Sequence, residues 1–203
     1  GHVQLLAART GEPKTLERID LIRSQIERIE RIVRNMLDAT RRPRPALEPT
    51  DLNALLRKIF EVTAPTLAAR QVELATEFDD QLPSIRADGE QLQQVFINLI
   101  NNSLDAMPHG GRLRFTTGGQ NGSVEVRCLD TGEGISDEIK PRIFDPLFTT
   151  KARGRGSGLG LSVVEQIVRE HGGEIEVESK AGAGAEFRIR LPISDRGGQE
   201  NND

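Results

Sequence analysis

The chain has 203 residues, with 27 Lys+Arg against 31 Asp+Glu for a formal net charge of −4, 36% hydrophobic and only 3% aromatic residues. That length suits one full domain plus an extra element, or two small domains, the acidic balance argues against non-specific nucleic-acid binding, and no run reaches the roughly 18 apolar residues that cross a bilayer. A single cysteine, Cys128, and three scattered histidines exclude an internal disulfide and an ordinary zinc site.

Residues 1–45 carry ten basic and six acidic side chains, a local +4. Within them Ile19, Ile22, Ile26, Ile29, Val33 and Met36 recur at alternating steps of three and four, a heptad seam. The spacing predicts a helix over 13–41, about 40 Å long, started near Pro13 and stopped by Pro43 and Pro45. One seam on one helix needs partner helices, so self-association through this arm is expected. Asp51 is placed to cap a second helix running to about Arg70. Val72–Phe78 alternates like a strand, and a helix opening at Asp88 or Gly89 is expected to end near Met107. Arg112–Thr117 and Ser123–Leu129 read as a hairpin across Gly118–Gly122. A Gly- and Thr-rich segment over 130–160 holds a short helix at 136–142; Leu159–His171 is helical and closed by Gly172-Gly173. Glu174–Ser179 and Ala185–Pro192 form a second hairpin, and 195–203 reads as a disordered tail. The class is α+β: a mixed sheet with helices on one face, a two-layer sandwich over 46–194 preceded by a long helical arm.

Four clusters carry chemistry. In the helix at 89–107, Asn98, Asn102 and Asp105 fall on one stripe, which suits either a hydrated face or Mg²⁺ and phosphate. Asp130-Thr131-Gly132-Glu133-Gly134 follows a strand, joining a hydrogen-bond acceptor to a backbone that a flat ligand can approach. Asp-Thr-Gly also occurs in aspartic proteases, but Glu133 would set another charge beside the dyad. Ile143–Lys151 places two Phe around a Pro, anchoring one end of a loop and leaving Thr149, Thr150 and Lys151 free. Gly154–Ser162, with glycines at alternate positions before a helix, reads as a phosphate cradle. It has neither the Walker A lysine nor the dinucleotide spacing.

In this order the clusters resemble the N, G1, F and G2 boxes of the sensor histidine kinase ATP-binding domain, in the superfamily of gyrase, Hsp90 and MutL. Gly182–Phe187 with Leu191-Pro192 resembles the closing segment of that family. The heptad helix, ending Met36–Arg41, resembles the second helix of its dimerisation and phosphotransfer domain. The resemblance implies a Bergerat-type site for ATP and Mg²⁺. Asn102 would ligate Mg²⁺, Asn98 would line the phosphates, and Asp130 would accept the adenine amino group, with Gly132 and Gly134 giving the base room. Segment 145–157 would be a mobile lid on which Lys151 and Arg155 offset phosphate charge, and Gly158 and Gly160 would present N–H groups. Arg142 matches a basic position that would reach the γ-phosphate. Asp105, Ile135, Thr149, Thr150, Gly156, Ser157, Leu159 and Leu161 complete the expected nucleotide set.

The implied activity is transfer of the ATP γ-phosphoryl to a histidine outside this chain, and thence to an aspartate of a response-regulator receiver domain. The implied setting is a cytoplasmic homodimer that an upstream segment could anchor to a membrane. His2, His109 and His171 do not match the phosphoacceptor pattern, so this chain is not expected to label itself. Ala185 and Leu147 depart from the family's usual Thr and aromatic residue. An alternative is a nucleotide-binding regulatory module without kinase activity. A direct ATPase would need a general base where Asn98 stands.

Overall fold

The computed structural model describes residues 45–151 and 156–193. The arm over 13–41, the tail over 195–203, and Arg155 lie outside the described residues.

The chain enters through β1 (Glu48–Thr50) and α1 (Leu52–Ala69), followed by β2 (Val72–Glu77), β3 (Ile85–Ala87) and α2 (Gly89–Ala106). The second half is β4 (Gly111–Gln120), β5 (Ser123–Asp130), α3 (Gly160–Glu170), β6 (Glu174–Ser179) and β7 (Ala185–Pro192). Both early helices start on an aspartate. Asp51 accepts from Ala54 N–H, and Asp88 from Glu90 and Gln91 N–H, relieving donors that a helix start leaves unpaired.

Five strands make one mixed sheet in the order β2-β4-β5-β7-β6, with β2 and β4 parallel and the other pairs antiparallel. Period-two alternation sorts the faces. From β7, Ala185, Phe187, Ile189 and Leu191 turn inward; from β5, Val124, Val126, Cys128 and Asp130 do. The inner face meets α2 through Leu92, Val95, Phe96, Leu99 and Ile100, and α3 contributes Val164, Ile167 and Val168. Cys128 is buried among them, as a small apolar residue is.

Two sequence expectations change and one element is new. The hairpin strands run on through Gly118 and Gly119, pairing Gly119 with Val124, and turn on Asn121-Gly122 alone, both in the left-handed region. Asn-Gly is the dipeptide that such a two-residue turn favours. The helix over 136–142 shrinks to a 3₁₀ turn at Lys140–Arg142, because Pro141 lacks the N–H that an α-helix needs there. Finally, β1 and β3 pair antiparallel as a separate small sheet, with Pro49 opposite Arg86. Strands of three residues are too short to show a period.

Candidate functional site

Between α2, the β5 end and the segment leading into α3 lies a cavity of about 450 Å³. Helical spacing brings Asn98, Asn102 and Asp105 of α2 along one wall, beside the stripe that the core buries. Asp130 stands at the cavity's inner end. It is the fourth residue of the inward row of β5, so strand alternation alone drives a carboxylate into a place where the three before it are apolar. Its Oδ2 accepts from Ser103 Oγ at 3.1 Å, and its Oδ1 from Gly132 N–H at 2.9 Å and Ala185 N–H at 3.2 Å. Burial pushes the Asp130 carboxyl above its ordinary value, against the pull of Gly132, Ser103 and Ala185.

The loop after Asp130 is held close to its neighbours. A Cβ on Gly132 would fall 2.7 Å from the Ala106 carbonyl oxygen, and Gly134, at φ +67°, backs onto the Lys180 carbonyl. Glu133 N–H donates to Ala106 O and Glu133 O accepts from Gly182 N–H. Thr131 Oγ1 accepts from Arg112 N–H and donates to Met107 Sδ. The motif's Thr and first Gly are therefore fastenings that hold the loop in place.

Opposite α2, the helix α3 starts at Gly160 with no side-chain cap, in contrast to α1 and α2. Its first residues, Gly160 and Leu161, line the cavity at the positive end of the helix dipole. The face of Gly160 that a Cβ would occupy looks onto Asn98 Oδ1 and both amide atoms of Asn102, each 3.9 Å away. Asn102 Nδ2 is buried with no hydrogen-bond partner among the described residues. An unspent N–H donor beside an uncapped helix start fits a phosphate chain. Among the described residues no group of three or more His, Cys, Asp or Glu gathers for a metal, and the side-chain oxygens that the α2 wall offers a cation include the Asn98 and Asn102 amides and the Asp105 carboxylate.

Of the residues expected from sequence, Gly134, Ile135, Thr149, Thr150, Lys151, Gly156, Ser157, Gly158, Leu159, Gly160 and Leu161 join Asn98, Asn102, Asp105 and Asp130 around the cavity. Gly132 lies behind the wall. Arg142 lies off the cavity: its guanidinium sits 4.5 Å from the centroid of Phe148, near Asp145. The Phe148 ring lines the cavity and offers the cation its face. Sequence reasoning missed Ser103. A hydroxyl at i+4 from Leu99, on the buried stripe, was the available signal.

The match to known proteins follows this geometry. Residues 87–195 match the family described as histidine kinase-, DNA gyrase B- and HSP90-like ATPase, over more than half the chain. The chain belongs to this ATPase family. It is 34% identical over 200 residues to the signal transduction histidine-protein kinase AtoS of Escherichia coli (strain K12), covering 98% of this chain and 33% of AtoS. It thus spans about a third of that relative's length. The catalytic domain of histidine kinase ThkA, solved without nucleotide, superposes with a TM-score of 0.66 at 30% identity over 72% of this chain and 95% of that one. ThkA in complex with the response regulator protein TrrA gives 0.78 at 27% identity, over 98% and 57%. Within the ATPase family, the domain is of the histidine kinase catalytic type.

His171 is buried at the end of α3; it takes the Asp88 N–H on Nε2, so Nδ1 carries the proton donated to Ile167 O. His109 is exposed in the turn after α2. His2 lies outside the described residues.

Proposed function

We propose that this domain binds Mg·ATP in the cavity and serves transfer of the γ-phosphoryl group to a histidine of a helical acceptor, and from there to an aspartate of a response regulator. The observation that carries the proposal is the pairing of one buried acceptor, Asp130, with an uncapped helix start at the cavity's other side. Asp130 accepts from the 6-amino group of the base; Ser103, Gly132 and Ala185 keep its lone pairs aimed. Asn102 holds Mg²⁺ through its amide oxygen, with Asn98 one turn away along the phosphates. Lys151 and the N–H groups at Gly158 and Gly160 offset phosphate charge. Bound there, ATP supplies the phosphoryl group, and the protein's share is positioning and charge neutralisation. Asn98 cannot take a proton from water at neutral pH, which suits transfer to a supplied acceptor rather than hydrolysis.

The heptad seam over 19–36 supports a homodimer built through the arm, and the likeness to ThkA bound to TrrA supports a receiver domain as the next acceptor. Two measurements test this reading. Calorimetry with Mg·ATP should register binding that Asp130→Asn removes. With γ-labelled ATP, label should stay off this chain alone and pass to an added fragment carrying the acceptor helix. Steady multiple-turnover release of inorganic phosphate without an acceptor would refute the transfer step.

A further inference from the structure

Asp105 stands where two fields disfavour a carboxylate. It lies in the last turn of α2, the negative end of the helix dipole, and that turn holds no basic residue. It also continues the stripe of Asn98 and Asn102 into a cavity whose opposite wall favours anions. The charge is offset from outside the helix: Lys151 Nζ donates to Asp105 Oδ2 at 2.6 Å. The two side chains are 33% and 40% exposed, so water screens the pair only in part. The bond ties α2 to the segment bearing Thr149 and Thr150, all of it lining the cavity.

We propose that the Asp105–Lys151 ion pair is a latch that keeps the lysine's charge engaged until a phosphate chain competes for it. Asp105 is then a positioning residue. It sets affinity for the phosphates through Lys151 and leaves affinity for the base alone. This rests on the nucleotide reading of the cavity. A carboxylate fixed on α2 and a polyphosphate both seek the same ammonium, and the polyphosphate carries the greater charge. Binding therefore includes the cost of prising the lysine from Asp105, a cost that adenosine does not meet. Replacing Asp105 by Asn removes a charge that the helix end disfavours, so the variant is expected to fold.

The test titrates Mg·ATP and adenosine into the wild type, Asp105→Asn, Lys151→Met and the double variant, at low and high salt. Asp105→Asn should tighten ATP by about two- to five-fold at low salt, less at high salt, with adenosine unchanged. In the Lys151→Met background the gain should vanish. Unchanged or weaker ATP binding by Asp105→Asn overturns the latch. So does a gain that survives Lys151→Met, which would make Asp105 a bare repulsive charge, or one shared by adenosine, which would make its role structural. A wild type that binds neither ligand brings down the nucleotide reading itself; one that binds both, with Asp105→Asn indifferent, brings down the latch alone.

Discussion

The carboxyl of Asp130 titrates according to its burial. Desolvation raises its proton affinity, and the three hydrogen bonds from Gly132, Ser103 and Ala185 only partly oppose this. The native protein therefore keeps this proton to higher pH than the unfolded chain. Below the unfolded carboxylate value, about 3.9, both states are protonated and the cost is absent; as pH rises through the raised native value, ionisation withdraws stability. Asp130→Asn should thus unfold at a higher temperature than the parent near neutral pH, and the two melting curves should converge in acid. A variant less stable than the parent at neutrality would show that the three hydrogen bonds outweigh desolvation. Nucleotide binding has the opposite pH dependence. An amino donor prefers the ionised carboxylate, so affinity should weaken as pH falls through the native value, which calorimetry across that range checks.

Among the elements, α2 carries most of the site, and its N-terminus is tied to three parts of the chain. Asp88 caps the helix with Oδ1, takes Ala46 N–H on Oδ2, and gives its own N–H to His171 at the end of α3. The small β1–β3 sheet ends on the same residue's neighbour, Ala87. Residues just after the arm are thereby fastened to the helix that bears Asn98, Asn102 and Asp105. Asp88→Ala should cost about 1–2 kcal/mol, more than Asp51→Ala at the start of α1, where only one N–H is capped. Urea unfolding with equal slopes measures both; equal losses would mean that the Ala46 contact adds nothing.

At the scale of the molecule, the two faces of the sheet are unlike. On the inner face Phe115 lies 5.0 Å from Phe60 of α1 and 6.4 Å from Phe96 of α2 by ring centroids, joining both helices to β4. On the outer face charges pair across strands, Arg190 with Glu125 and Glu176, Arg188 with Glu178, and Arg112 with Glu73, and Arg188 also pairs with Glu186 of its own strand. Glu125 shows the result: burial raises its carboxyl, but Arg127 and Arg190 together hold it below the ordinary value. Its stabilising share is present above the unfolded carboxylate value and is lost as pH falls through the lowered native one. Phe115→Ala should cost about 3–5 kcal/mol, a large part of a domain's total. Arg112→Ala, at an exposed pair, should cost less than about 1 kcal/mol. Denaturant midpoints decide; comparable losses would mean that the outer face carries more of the stability than its exposure implies.

Sequence by itself determined the longer elements and most of the cavity wall, because those depend on spacing within a few residues. The i, i+4, i+7 stripe placed Asn98, Asn102 and Asp105 together, alternation along β5 sent Asp130 inward, and Asp51 and Asp88 marked their helices. Only the tertiary structure decided which distant groups meet. The pairing of Ser103 with Asp130, of Lys151 with Asp105, and of Arg142 with Phe148 depends on where strands and loops come to lie. So does the three-residue ladder of β1 on β3. Local periodicity holds no record of contacts made across 27 or 46 residues; packing of the sheet against α2 creates them.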